Sequence, residues 1–214
     1  MLRYFFYSLV TTLFLIGFTC HSQPQWTVLE ELNGITLYES DQKCDTLRNF
    51  MAVFTVPASV KTCVNILYNN EFHTDFMDGM KSSELIKYHH EKSLVFYQVI
   101  DLPWPIPNRD MVTLATFEHT PDFKTVTVNL RSSPEEKAPT SMTRVNVPER
   151  EWSFSKNGEH STHVTYTYRT NPSHFPSLLE DTFTIDGPMK MMSGFKDLAT
   201  KESRTPVNLV WIRD

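Results

Sequence analysis

The sequence is short of glycine and cysteine, with only six and three of them among its 214 residues. So few glycines leave little room for a phosphate-binding loop, and the Gly-x-Ser-x-Gly turn of serine hydrolases does not occur. Its eight histidines form no His-Glu metal motif, and none stands at zinc-ligand spacing from the cysteines. We therefore expect no cofactor, no metal site and no catalytic residues.

A basic segment is also lacking. The formal net charge is −5 and the lysines and arginines do not cluster, so we expect neither a nucleic-acid partner nor binding to a strongly anionic membrane. Transient contact with a neutral membrane surface stays open. Thirteen prolines, 40% hydrophobic residues and 13% aromatic residues are typical of one β-rich domain with a well-buried core.

Residues 1–22 differ from the rest of the chain. Arg3 precedes an apolar run, Tyr4–Phe18, and small residues lie just before a cut ahead of Gln23. This pattern predicts a signal peptide and an exported protein, periplasmic or secreted, since the run is shorter than the ~20 apolar residues of a membrane span. The alternative is a lipoprotein anchored through Cys20, although the leucine that begins a lipobox is absent.

Two cysteines, Cys44 and Cys63, remain after removal of the leader. In an oxidising compartment they either form one disulfide or stay as two buried thiols.

The remaining chain predicts a single domain over 23–200, followed by a C-terminal tail at 201–214. The spacing of Trp26, Leu29 and Leu32 predicts a short helix ending at Asn33-Gly34. A second helix is predicted from Ala58. Alternating patterns predict strands over 35–38, 47–56, 83–89, 94–100, 111–118, 125–130, 143–147, 151–155 and 163–170.

The last segment, 176–201, has helical apolar spacing that should bend or break at Asp186-Gly187-Pro188. Because helices do not alternate with strands along the chain, the fold class is α+β rather than a doubly wound sheet.

One segment carries a family resemblance. Residues 95–112, VFYQVIDLPWPIPNRDMV, contain a strand, a loop rich in proline and aromatic residues, the triplet Asn108-Arg109-Asp110 and the next strand. This order resembles START domains, the lipid-transfer domains related to the steroidogenic acute regulatory protein. Residues 171–176 resemble the family's turn into its last helix, although the turn is one residue shorter and lacks the usual glycines.

The resemblance implies a helix-grip fold, in which a curved antiparallel β-sheet wraps around a long C-terminal helix. It also implies an internal cavity for one lipid or other hydrophobic molecule, held for transport or sensing. Two alternatives stay open. One is an enzyme of the same superfamily, similar to aromatase/cyclases, that acts on a hydrophobic substrate through Gln98, Thr113 or Arg169. The other is a module that regulates a protein partner.

Strand alternation and the resemblance together predict the ligand-binding cavity. Sterol-binding relatives place a buried acid–base pair where this chain has Phe96 and Ala115, so Gln98 and Thr113 are the polar candidates. The predicted cavity residues are Phe96, Gln98, Ile100, Met111, Thr113, Ala115, Phe117, Tyr166, Tyr168, Phe183, Met191, Met192 and Phe195.

The resemblance also implies a gating loop, defined here as Leu102, Trp104, Ile106, Arg109 and Asp110. Trp104 either touches a membrane interface or packs under the final helix. Arg109 and Asp110 either meet an anionic headgroup or pin the loop to the sheet, and we favour the structural role because they lie at the base of the loop.

Overall fold

The computed structural model describes residues 24–42, 47–102, 104–170, 182–201 and 209–212, without the side chains of Thr182 and Phe183. The leader with Cys20, the loop with Cys44, the turn at 171–176, the predicted start of the last helix and the side chain of Phe183 therefore lie outside the described residues.

Strands dominate the chain, and the helices fall into one group after β3 and another at the end. The elements are β1 (Trp26–Leu32), β2 (Ile35–Ser40), β3 (Arg48–Val56), α1 (Val60–Tyr68), α2 (His73–Phe76), β4 (Met80–His90), β5 (Ser93–Ile100), β6 (Arg109–His119), β7 (Thr125–Ser132), β8 (Thr143–Arg144), β9 (Arg150–Lys156), β10 (Thr162–Thr170) and α3 (Gly187–Lys201).

The first element is a strand, so the helix predicted for this segment is wrong. Asn33 and Gly34 have positive φ angles of 53° and 70°, and they form a two-residue turn that pairs Leu32 with Ile35. Asn-Gly is the strongest short hairpin signal because both residues tolerate this backbone. A bulge at Leu29 shifts the alternation of β1, so Trp26 and Leu29 are both partly buried although they are three residues apart.

All ten strands form one curved sheet in the order β1-β2-β3-β10-β9-β7-β6-β5-β4, with β8 paired to β6. Neighbours are antiparallel apart from the short parallel β6–β8 pair. The strand predicted over 143–147 is shorter than expected. Only Thr143 and Arg144 pair with β6, and the backbone N–H of Val147 instead donates to the Ser132 hydroxyl.

Local signals explain the helices. Ser59 caps α1, because its hydroxyl accepts a hydrogen bond from the Thr62 N–H at 3.1 Å. Near the predicted bend or break at Asp186, the helix type changes: a π-helical turn, Thr182–Asp186, ends there and α3 follows directly, with Pro188 in its first turn. In the part of the chain that the structure describes, no helix combines the length and apolar character needed to cross a membrane.

The core lies between the concave face of the sheet and the helices. Phe195 of α3 packs at its centre, with ring centroids 4.8 Å from Trp152, 5.8 Å from Phe154 and 5.5 Å from Phe76. Residues beyond the predicted domain end at 200 also belong to this core. Leu209, Trp211 and Ile212 are buried, so the segment expected to be a tail is partly structural.

Phe195→Ala should lower the free energy of unfolding by about 3–5 kcal/mol, because it leaves a cavity among the core aromatic rings. Asp197→Ala, on the exposed side of the same helix turn, is the control and should change this energy by less than about 0.5 kcal/mol. Urea unfolding followed by tryptophan fluorescence measures both. Equal stability of the two variants would contradict the central role of Phe195.

Candidate ligand-binding site

Strands β5 and β6 point the residues predicted for the cavity toward the core. Phe96 lies opposite Thr113 and Gln98 opposite Met111, so these pairs share one face of the sheet. Ile100 and Met191 are partly exposed. The other described members of the predicted set are buried: Phe96, Gln98, Met111, Thr113, Ala115, Phe117, Tyr166, Tyr168, Met192 and Phe195.

The void among these residues is small. Phe96, Gln98 and Thr113 line a space of about 20 Å³ together with His73 and Arg150, which is room for roughly one water molecule. The aromatic cluster around Phe195 fills the neighbouring space, so the structure shows no lipid-sized opening at this point.

A polar network crosses this interior. The Thr113 hydroxyl donates to Gln98 Oε1 at 2.9 Å. His73 Nε2 lies 3.0 Å from the Leu67 carbonyl oxygen, which can only accept, so this nitrogen carries the proton. His73 Nδ1 is then the acceptor for the Ser83 hydroxyl at 2.8 Å. The network satisfies its own polar atoms.

His73 titrates far from its ordinary range. Burial disfavours the imidazolium and lowers the pKa of His73 to about 4, against a small opposing effect of the Leu67 carbonyl. The sequence analysis did not identify His73 as a cavity residue. Its neutral state suits a structural role in the wall of the small void.

A larger cavity of about 730 Å³ opens at the end of the sheet where β9 begins and β10 ends. Its apolar wall includes Trp26 and the stacked rings of Phe50 and Tyr168, whose centroids are 5.1 Å apart. Leu130 and Arg150 line both this cavity and the small void. The two spaces are therefore separated at these side chains.

Arg150 is a site residue that the sequence reading missed. It begins β9, where it pairs with Leu130 on one side and Tyr168 on the other. It is in phase with Trp152 and Phe154, whose side chains are buried, so its side chain turns inward. This alternation is the sequence signal that could have identified Arg150 as an inward-facing residue.

Arg169, the arginine that we considered instead, alternates with the buried Tyr166 and Tyr168 and is exposed. It lines the rim of the larger cavity and lies on the opposite face of the sheet from the Gln98–Thr113 pair. Of the three candidates of the enzyme alternative, the structure therefore brings Gln98 and Thr113 together and leaves Arg169 apart from them.

Asp110 makes structural contacts, but they anchor a different segment from the gating loop that it was predicted to pin. Its carboxylate is fully buried and accepts hydrogen bonds from Arg144 Nη2 and Thr140 Oγ1, both at 2.8 Å. Burial alone would raise the pKa of Asp110, but the hydrogen bonds from Arg144 and Thr140 outweigh it and lower this pKa. Arg144 also donates to the Lys137 carbonyl, so the pair secures the segment between β7 and β9.

The gating loop itself is held at its base by a hydrogen bond of 3.3 Å from the Leu102 N–H to Asn108 Oδ1. Arg109 is partly exposed, as are Leu102 and Ile106. Trp104 is 93% exposed, so the interpretation that it packs under the final helix is wrong.

Cys63 is a buried free thiol whose pKa is raised to about 12 by burial. Cys44, the other cysteine considered for a disulfide, lies outside the described residues. Within the described ranges, no group of three histidine, cysteine or acidic side chains is arranged to hold a metal ion.

Acid should destabilise the protein through His73. The pKa of His73 is about 4 in the folded protein and 6.5 when exposed. Above pH 6.5 the residue is neutral in both states, and the free energy of unfolding has its full value. As the pH falls to 4, the unfolded chain takes up the proton first and this free energy drops by about 3 kcal/mol. In the His73→Gln variant, the free energy of unfolding measured with urea should no longer show this drop between pH 6.5 and 4. The control is His163→Gln at an exposed position, which should keep it; a His73→Gln profile identical to wild type would refute the assignment.

No protein-family model matches the sequence. An uncharacterized protein of Pseudomonas aeruginosa is 27% identical over 179 residues, which cover 82% of this chain and 87% of the relative.

Solved structures agree in fold. The STAR-related lipid transfer protein of Xanthomonas axonopodis superposes with a TM-score of 0.68 at 21% identity, over 80% of this chain and 97% of that one. Human StAR-related lipid transfer protein 5 gives a TM-score of 0.68 at 12% identity, over 81% of this chain and 86% of that one. The α+β helix-grip fold predicted from the sequence is confirmed, and it is the fold of START domains.

Proposed function

We propose that this protein binds one lipid or other hydrophobic molecule without forming a covalent bond to it, for transport or sensing. The observation that carries the proposal is the cavity of about 730 Å³, walled by Trp26, Phe50 and Tyr168, in a START-type fold. Cavities that bind small molecules measure roughly 300–1,000 Å³ and combine apolar walls with a few polar groups.

The energetics favour such a ligand. Each methylene group removed from water contributes about 0.8 kcal/mol, so a protected apolar wall solubilises a chain that water rejects. We infer that the ligand occupies the larger cavity and extends toward the small void when the side chains of Leu130 and Arg150 move apart. This path would bring it to Phe96, Gln98 and Thr113, the cavity residues predicted from the sequence.

Export is part of the proposal. The leader pattern at 1–22 supports delivery to the periplasm or secretion, and attachment as a lipoprotein through Cys20 is the alternative. A carrier outside the cytoplasm would meet its ligand at a membrane surface. The exposed Trp104 supports such contact, since the indole ring favours the membrane–water interface.

Native mass spectrometry after incubation with a bacterial lipid extract should find one apolar molecule per protein chain. Leu130→Trp should reduce this occupancy strongly, because the larger ring fills the side-chain position shared by both cavities. The matched control is Arg131→Trp, at the neighbouring exposed position, which should load like wild type. Wild-type protein that stays empty after loading would refute the proposed function.

Trp104→Ala should slow lipid transfer between neutral phosphatidylcholine vesicles several-fold, because the loop loses its interfacial side chain. The amount of ligand bound at equilibrium should not change, since Trp104 lies outside the cavity wall. Transfer rates measured with fluorescent lipid test this. Val210→Ala removes another exposed apolar side chain and serves as the control, and equal rates in all three proteins would exclude membrane contact through Trp104.

A further inference from the structure

We propose that the ligand is an amphiphile with an anionic head, a carboxylate or a phosphate, and that the guanidinium of Arg150 binds this head. The inference rests on the lipid-binding function proposed above and specifies its ligand class. Of the buried side-chain nitrogen and oxygen atoms in the described residues, only Arg150 Nε has no hydrogen-bond partner.

One donor of this guanidinium, the Nε–H, is buried without an acceptor. Arginine stays charged at any physiological pH, and a buried donor of a charged group that is left unpaired is unfavourable. The side chain as a whole is only partly buried, because it lines the larger cavity. Two apolar or aromatic neighbours, Leu130 and Tyr168, flank Arg150 on the adjacent strands. The phenol of Tyr166 interacts with Arg150 but supplies no negative charge, because burial raises the pKa of this phenol.

The nearby carboxylates do not neutralise Arg150. Glu149 and Glu151 line the larger cavity, but both are exposed and neither forms an ion pair with Arg150 among the described residues. Two other arginines do have carboxylate partners: Arg48 lies 2.5 Å from Glu39, and Arg144 lies 2.8 Å from Asp110. Arg150 is partly buried like these two arginines, but it has no carboxylate partner among the described residues.

The location fits an anionic head. Arg150 lines both the larger cavity and the small void, so a head bound to it would lie at the inner end of the larger cavity. The planar guanidinium offers two parallel N–H groups to a carboxylate or phosphate, which an uncharged ester cannot match. From there a hydrocarbon chain would extend along Phe50 and Tyr168 toward Trp26.

Three ligands share one acyl chain and differ in the head, so they distinguish the contribution of the head to binding from that of the chain. They are palmitate, 1-palmitoyl lysophosphatidate and methyl palmitate. Each is titrated below its aggregation concentration against the wild-type protein carrying the uncharged fluorophore N-phenyl-1-naphthylamine. We expect at least one anionic ligand to displace the fluorophore at concentrations about tenfold lower than methyl palmitate does. The stronger of the two anions identifies the head as a carboxylate or a phosphate.

Arg150→Gln should remove this preference and still bind methyl palmitate, whereas Arg131→Gln, which changes an exposed arginine outside the cavity lining, should keep it. Arg150→Lys retains the charge without the paired donors and should give an intermediate preference. If Arg150→Gln does not fold, the wild-type and Arg150→Lys titrations decide the result.

Equal binding of the ester and both anions by wild type, or a preference that survives in Arg150→Gln, overturns the role of Arg150 while leaving lipid binding intact. Failure of wild type to bind the fluorophore and all three ligands overturns the proposed function itself.

Discussion

The contact between Phe195 of α3 and the aromatic rings of Trp152 and Phe154 on β9 determines how the rest of this protein is arranged. This contact holds α3 against the concave face of the sheet, and its rings fill the space in which the sequence analysis expected the internal cavity for a lipid. The larger cavity therefore lies at the end of the sheet and not beneath the middle of α3. Protein interiors are close-packed, so the position of one large ring decides where the open volume remains.

The interior handles buried polar groups in two different ways. The Asp110–Arg144, Gln98–Thr113 and His73–Ser83 pairs satisfy their own hydrogen bonds, and satisfied polar groups make a structure rigid. Arg150 differs, because its Nε has no partner. A group of this kind adds nothing to stability by itself, and unpaired buried polar atoms are rare enough in folded proteins to require an explanation. Polar groups with satisfied hydrogen bonds and one unsatisfied guanidinium nitrogen thus occur within the same core.

Strand alternation made much of this arrangement predictable. The faces of β5 and β6 follow from a two-residue period, and so do the buried positions of Phe96, Gln98 and Thr113. The bulge at Leu29 led to the wrong prediction of a helix in this segment. A bulge shifts the strand alternation by one residue, so the apolar spacing looks helical, and the sequence does not show where a bulge occurs. Non-local pairs could not be predicted from the sequence. Asp110 and Arg144 are 34 positions apart, and only the folded chain shows that they are in contact. The sequence likewise could not show that Arg150 Nε has no hydrogen-bond partner, because this depends on the whole fold.

The burial of Leu209, Trp211 and Ile212 has a consequence for the order in which the chain acquires its structure. The Trp211 ring lies 5.8 Å from Phe117 of β6 and 6.3 Å from Tyr68 of α1, so residues 209–212 complete a hydrophobic cluster formed by much earlier segments. During synthesis these partners emerge long before Trp211 does. Until it arrives, Phe117 and Tyr68 keep an apolar surface open to water, and this cluster stays incomplete on the nascent polypeptide.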